Sequence, residues 1–488
     1  MKKYLASASL GLSLVACPTS LIFASHQCQD DTILHPLANN LARGGKTVMV
    51  LANDYETDPD SNLAGIVAVG LAVKAHVQAG AESALGVIVY TDDEYTSQDA
   101  LTLSAQVAAS GEWDEDMPLA KAHYTDPLTV AFLKTLPATL GLRAQDAAVD
   151  FFSLANFLNS HFGRNVVDLR VVQGTRTRTT DTKEPYVNPY LGNFGMGYDA
   201  DAQTLISQIH PTHGAHGVLE LLQGRYQTHK AFLLSGGSAR LSLDLAEHAP
   251  ELTQHIPNIS VIGRIETPHS TLFNRQEKRP GGSWNARIDP SAFTGFFQSV
   301  AANPTLYESL HVVDSGTIFY APVFDEAEGH FPLYAQGLEV LGYNAFLPKA
   351  ALESKNMVEK LHTEFAWGYK PKAMDPVSVL YGLGLVDLSM RQGTWQHIYH
   401  QFAPQDTDAA ADITGIQMSL PWTDHGHPFV STFPGRGESD EAFAARLATY
   451  AETGYEHAAV VEAGKALKAN VLRELLGFGE MIKDLTRQ

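Results

Sequence analysis

The chain has 488 residues, 44% of them hydrophobic, which excludes a disordered polymer, allows a large core and by length alone permits two or three domains. Acidic residues outnumber Lys and Arg by 54 to 34, a formal charge of −20 with no long basic run, and this argues against nucleic acid as a partner, because phosphate binding rests on clustered Lys and Arg. A small neutral substrate or a divalent cation suits the balance better, and most of the charge serves to keep the surface solvated.

Taken in chain order, Lys2 and Lys3 precede an apolar, small-residue run from Tyr4 to Ala16 and a second apolar patch from Leu21 to Ala24. That order reads as an export signal over 1–24, with a periplasmic or secreted product. The alternative is a lipoprotein, because Leu14-Val15-Ala16-Cys17 resembles a bacterial lipobox and would leave a lipid anchor on Cys17. No other stretch approaches the ~18 apolar residues needed to span a bilayer. Cys17 and Cys28 are the only cysteines, so the folded body holds neither a disulfide nor a Cys-based metal site.

Short β-rich runs ending in turn residues then alternate with longer helical patterns. Strands are expected at Thr47–Ala52, Leu85–Tyr90, Val166–Val172, Ala231–Leu234 and Ile259–Ile262, most of them apolar on both faces as buried parallel strands are. Helices are expected at Ala64–Val77, Ser97–Ala109, Ala202–Gln223, Ser238–Glu247, Pro290–Ala301 and Pro376–Leu385, with a helical C-terminal stretch over Asp440–Lys483. The pattern predicts an α/β fold: an open, mostly parallel sheet with helices on both faces. Gly174–Gly197 reads as a long surface loop. We expect one domain over 25–488 with an insertion at about 124–200 and an extra helical part at about 395–488.

Ligands of open α/β sheets bind beyond the carboxyl ends of the strands. Beyond the first strand lies Asn53-Asp54-Tyr55-Glu56-Thr57-Asp58-Pro59-Asp60-Ser61-Asn62, with four carboxylates and two amides in ten residues. Like charges so close repel unless a cation or a proton lies among them, and a divalent cation held by hard oxygen ligands answers that need. An ordinary acidic loop opposing a helix dipole is the plainer alternative.

Glu56-Thr57-Asp58-Pro59-Asp60-Ser61-Asn62-Leu63-Ala64 resembles the Asp-Thr-Asp-Pro-Gly-x-Asp-Asp-Ala signature of the inosine-uridine-preferring nucleoside hydrolases. Gly86–Asp93 is similar to that family's second strand, which ends in a ribose-contacting Asn. Leu234-Ser235-Gly236-Gly237-Ser238-Ala239-Arg240 and Val261-Ile262-Gly263 resemble its Gly-Pro-Leu-Thr-Asn and Met-Gly-Gly turns. Ser283-Trp284-Asn285-Ala286-Arg287-Ile288-Asp289-Pro290 is similar to Glu-Phe-Asn-x-x-x-Asp-Pro, and Met374-Asp375-Pro376-Val377-Ser378-Val379 to His-Asp-Pro-x-Ala-Val. The matches keep the family's order and cover about 46–122 and 228–390.

The resemblance implies an N-glycosidase of nucleosides. Asp58 would be general base and metal ligand, with Asp375, the main-chain carbonyl of Ser235 and, as a substitute, Asp60 as further ligands of Ca²⁺. Asn62, Asn285, Glu56 and Asp92 or Asp93 would face the ribose. The chemistry suits such residues, because the sugar passes through an oxocarbenium-like cation and a water must be positioned and deprotonated.

The pattern also departs from the family. Leu63 replaces a metal-gripping carboxylate and cannot coordinate Ca²⁺, Asn62 brings no negative charge to a cationic transition state, and Ser283 replaces a Glu. Met374 stands where many members carry a His that assists the leaving base; His425 and His427 are other candidates for that acid. These losses raise a second reading, a weak or inactive relative that binds a nucleoside-like ligand or a protein partner. His210, His213 and His216 read as a solvated surface cluster, and Trp284 as core or pocket wall. A homo-oligomer is left open. No Gly-x-Ser-x-Gly elbow and no phosphate-binding Gly-x-x-x-x-Gly-Lys-[Ser/Thr] loop occurs.

Overall fold

Apolar runs that do not alternate with polar residues can be buried only inside a sheet covered on both faces. Such runs supply most of the six core strands, Thr47–Asn53 (β1), Leu85–Thr91 (β2), Val167–Gln173 (β3), Lys230–Ser235 (β4), Pro257–Gly263 (β5) and Ser309–Asp314 (β6), of which β3 alternates apolar with polar residues and β6 is not announced by the sequence. The computed structural model describes residues 36–53, 59–92, 94, 96–110, 127–135, 138–175, 200–263, 289–303, 305–314, 382–384, 389–391 and 394–396. The six strands make one parallel sheet in the order β3-β2-β1-β4-β5-β6. A separate antiparallel pair joins Ser389–Arg391 (β7) to Thr394–Gln396 (β8).

The ten helices of the described residues are Pro36–Ala42 (α1), Pro59–Gln78 (α2), Ser97–Ser110 (α3), Pro127–Leu133 (α4), Leu142–His161 (α5), Ala200–Ile206 (α6), Gly214–Gln223 (α7), Arg240–His248 (α8), Pro250–Thr253 (α9) and Pro290–Ala302 (α10). Strand side chains alternate between faces. Val48, Val50, Ala52, Ile88 and Tyr90 join one apolar cluster with Val218 and Leu222 of α7, Leu241 and Leu245 of α8 and Phe296 of α10. Met49, Leu51, Val87 and Val89 point the other way and are also buried; on that side α2 packs on α5 and β2, and α5 on β2 and β3. The expected α/β sandwich is the observed fold, and no helix of the described residues is long and apolar enough to cross a membrane.

Several expectations need correction. The helix expected over Ala202–Gln223 is two, α6 and α7, because Pro211 lacks an amide donor and Gly214 takes the left-handed conformation, φ 66°. Helix α2 starts at Pro59, five residues earlier than expected, since Pro is favoured at a first helical position; Asp60 and Asn62 therefore belong to its first turn. The stretch read as an insertion contains α5 and β3, the crossover helix and edge strand of the main sheet. Helix α5 was not foreseen because Arg143, Gln145, Asp146 and Asp150 are buried along it, which erases the apolar stripe by which a helix is read. Of the helix expected over 376–385 only 382–384 are described. The stretches expected to carry an export signal or lipid anchor, the long loop beyond Thr175 and the C-terminal helix lie outside the described residues.

The β3 edge of the sheet is covered by a side chain and a main-chain amide. On the outer side of β3, Asn159 from α5 acts as a fragment of strand: its Oδ1 accepts from the amides of Val166 (2.8 Å) and Val167 (3.0 Å), and its Nδ2 donates to the Val167 carbonyl (2.9 Å). Further along, the amide of His210 donates to the Val171 carbonyl at 2.8 Å. Such blocking prevents another chain from pairing with the edge. Replacing Asn159 by Ala strands these backbone groups, and we expect a loss of about 1–3 kcal/mol, read as a lowered urea midpoint with an unchanged denaturant slope.

Candidate functional site

The chain builds β1, β2 and β3 outward in one direction, then returns past β1 to begin β4, so the strand order reverses between β1 and β4. The helices following strands on either side of this point lie on opposite faces, which opens a crevice at the carboxyl ends of β1 and β4. Ala52 and Ser235 are paired across it, so the chain leaves the sheet at Asn53 and at Gly236 side by side.

Polar side chains are buried along this edge in unusual density. Asp92, just past the end of β2, is 2% exposed, and its Oδ2 accepts from the amide (2.5 Å) and the hydroxyl (2.6 Å) of Ser238, beyond the end of β4. Because β1 lies between β2 and β4, this contact spans the carboxyl end of β1. The Asp92 amide donates to the Asn53 carbonyl at 2.7 Å, and Arg143 Nη1 of α5 donates to the Asp92 carbonyl at 2.8 Å.

The Gly-Gly pair after β4 follows from these contacts. A Cβ on Gly236 would stand 2.5 Å from Asn53 Nδ2, and one on Gly237 would stand 2.3 Å from Asp92 Oδ2. Ala239, the residue before α8, is held at φ 64°, a conformation that costs an L-residue roughly 1–2 kcal/mol. The turn is thus shaped by its neighbours rather than by its own preference.

From this turn the network continues across the sheet. The Ser238 hydroxyl accepts from the Arg240 amide at 3.3 Å, and the Arg240 guanidinium donates from Nε (2.8 Å) and Nη2 (2.6 Å) to Asp289 Oδ2. Asp289 is fully buried and caps α10, its Oδ1 accepting from the Ala292 amide at 2.9 Å. Asp244, one turn into α8, lies 3.5 Å from Arg240 Nη1, and its burial holds its carboxyl above the usual carboxylate range.

Beside Asp92, Glu94 plugs the start of α5. The helix has no side-chain cap of its own at Gly141; instead Glu94 Oε1 accepts from the Ala144 amide (2.7 Å) and the Thr91 hydroxyl (2.5 Å). Thr96 bridges to Gly141, whose amide donates to Gln173 Oε1 at 2.9 Å. Glu94 Oε2 is buried without a hydrogen-bond partner. Burial pushes the carboxyl up to about 8, against the lowering effects of Thr91, Arg143 and Ala144.

Of the residues expected to carry chemistry, Ser235 ends β4 at the crevice and Asp92 lies beneath it, committed to Ser238. Asp60 and Asn62 stand in the first turn of α2, on the chain that leaves β1. Glu56, Asp58, Asp93, Asn285, Asp375, Met374, Trp284, His425 and His427 lie outside the described residues. The three histidines do not converge: His210 Nδ1 lies 3.1 Å from the Thr212 carbonyl, His213 precedes α7, and His216 stacks on His248 with ring centroids 4.8 Å apart. Among the described residues no group of three His, Cys, Asp or Glu could hold a metal ion.

Glu94, Arg143 and Arg240 were not singled out from the sequence. Glu94 and Arg143 are far apart in the chain and carry no local signal. Asp289 before Pro290 and Ser291 has the form of a helix start, and its pairing with Arg240 is visible only in the fold.

No protein-family model matches the sequence. No curated relative matches it either. The crystal structure of the effector protein XOO4466 is similar to this chain over 78% of its length and 96% of that protein, with 14% identity and a TM-score of 0.41.

Two outcomes test this edge. Gly237→Ala forces a methyl group onto the Asp92 carboxylate, and we expect it to cost about 1–3 kcal/mol by breaking a buried charged hydrogen bond, measured by denaturant unfolding; Gly237→Ser should fare no better. The second concerns pH. The folded-state value of Glu94 lies above the ordinary 4.5, so between about 4.5 and about 8 the folded chain holds a proton that the unfolded chain has lost, and stability falls as pH rises through that window. Glu94→Gln removes this contribution, so its stability relative to the parent should rise with pH across the same window and level off above about 8.

Proposed function

We propose that the chain is a divergent N-glycosidase that hydrolyses the bond between base and sugar in ribonucleosides or a related N-ribosyl compound, at the crevice between β1 and β4. One observation supports the reading: three described anchors, each within seven residues of Asp58, Asn285 or Asp375, lie against the same short segment, Leu234–Arg240. Asn53, which with Pro59 brackets the Asp58 loop, sits against Gly236. Asp289, four residues after Asn285, is gripped by Arg240. Gly382, seven residues after Asp375, packs so closely on Leu234 that a Cβ there would stand 2.9 Å from Leu234 Cδ2. The three anchors, far apart in the sequence, thus meet one short segment at the end of β4.

In this reading Asp58 takes a proton from water, the water oxygen bonds to the anomeric carbon of the sugar, and the bond from that carbon to the base nitrogen breaks with its electron pair passing to the base. Glu56, Asn62 and Asn285 hold the ribose hydroxyls. Of Asp92 and Asp93, Asp93 takes the ribose role, because the Asp92 carboxylate is already engaged with Ser238 in a dry site. The proposed ligands Asp58, Asp60, Asp375 and the Ser235 carbonyl are all hard oxygen donors, a set that fits Ca²⁺, and the ion would supply acidification of a bound water. With Leu63 contributing no ligand, the affinity for calcium is expected to be low.

The test is release of ribose from a panel of nucleosides by the purified full chain, with calcium and with a chelator. Asp58→Ala should lower turnover by at least about 100-fold, the lower range for loss of a general base, and chelation should suppress it. A folded protein that cleaves no nucleoside under any of these conditions would overturn the enzymatic reading in favour of the binding one.

A further inference from the structure

Asp92 is held at its amide, its side chain and its carbonyl by three different elements. Its N–H donates to the Asn53 carbonyl at the end of β1, at 2.7 Å. Its carboxylate accepts from the amide and hydroxyl of Ser238 in the β4 turn, which fixes the side chain. The backbone torsion that remains is ψ, which sets where the carbonyl points, and that carbonyl accepts from Arg143 Nη1 of α5 at 2.8 Å. A peptide group is planar, so a fixed carbonyl also fixes the N–H and the Cα of the residue that follows. Through covalent geometry alone, Arg143 thereby sets where Asp93 begins.

The chain is pinned again immediately afterwards. The Glu94 amide donates to the Thr175 carbonyl at 3.4 Å, and Glu94 Oε1 accepts from Thr91 Oγ1 and the Ala144 amide. Asp92 and Glu94 are both buried, so each neighbour of Asp93 is anchored inside the protein at the carboxyl end of β2. Arg143 is buried as well, 2% exposed. A guanidinium stays charged, and burying it is costly unless its bonds offset the lost solvation. A rigid donor enclosed by the protein can orient a backbone carbonyl in a way that a solvated side chain cannot.

We propose that Arg143 is a positioning residue for ribose: by holding the Asp92 carbonyl it sets the direction from which Asp93 meets a sugar hydroxyl. The inference deepens the reading of the crevice as a nucleoside site and rests on it, and it applies whether the nucleoside is cleaved or only bound. A contact held in place before the ligand arrives loses less freedom on binding. Removing Arg143 therefore weakens the grip on the sugar in the ground state and the transition state alike.

A double-mutant cycle on the full chain tests it, read as KM for inosine and uridine where they are cleaved and as Kd where they are only bound. Arg143→Met should raise KM or Kd about tenfold, the size of one lost hydrogen bond, with kcat little changed. Arg143→Lys, which keeps a donor, should recover part of the loss. In an Asp93→Ala background Arg143→Met should add nothing, because the group it positions is gone. Equal losses in the two backgrounds, or no loss in the parent, would overturn the positioning role, since a merely structural residue acts regardless of Asp93. Should the Arg143 variants not fold, backbone amide relaxation of the parent decides. The Asp93 amide should be as rigid as those of β2 before any nucleoside is added, and ordering of that amide only when inosine binds would sink the proposal. A parent that neither cleaves nor binds a nucleoside refutes the crevice reading and this inference with it; a parent that binds, with additive losses, refutes this inference alone.

Discussion

The arrangement of the crevice depends on one contact, the Asp92 carboxylate with the amide and hydroxyl of Ser238. Parallel strands pair through their backbones only along their length, so the ends of β2 and β4, separated by β1, have no backbone means of holding each other. Asp92 supplies it with a short charged bond across the end of β1. The contact requires that nothing stand above the carboxylate, hence Gly237, and that the chain turn sharply before α8, hence Ala239 at positive φ.

Burying this much polarity is costly unless each group is satisfied. Much of the edge meets that condition by linking groups in series: Arg143 to Asp92, Asp92 to Ser238, Ser238 to Arg240, and Arg240 to Asp289. Each link joins a different strand end or helix start, so the network fixes the relative positions of α5, α8 and α10 where apolar packing alone would let them slide. Two atoms within it are buried without a hydrogen-bond partner, Glu94 Oε2 and Arg143 Nε, and burial holds the Glu94 carboxyl above the usual carboxylate range.

The proposed nucleosidase reading stands beside several departures from the family that the sequence resembles. The changes at Leu63, Asn62 and Met374 fall on individual side chains, whereas the contacts that organise the described edge are Asn53 against Gly236, Arg240 on Asp289 and Gly382 on Leu234. A scaffold of this kind tolerates exchange of the groups it carries, because function resides in the site and not in the fold.

The sequence by itself determined the layered α/β architecture, since uninterrupted apolar runs flanked by turn residues can be satisfied only as buried parallel strands, and five of the six strands were legible on that ground. It also located the places where strand ends meet acidic or Gly-rich turns, because charge and glycine are local signals. Only the tertiary structure decided the reversal of strand order between β1 and β4, the division of the Ala202–Gln223 stretch, the presence of α5 and the edge position of β3. It also decided that Asp92 is a brace and that Glu94, Arg143 and Arg240 matter at all. The physical reason is common to these: a buried polar group is tolerated only with its partner, and the partners here lie far off along the chain, 51 residues between Arg143 and Asp92 and 146 between Ser238 and Asp92, where no local pattern can announce them.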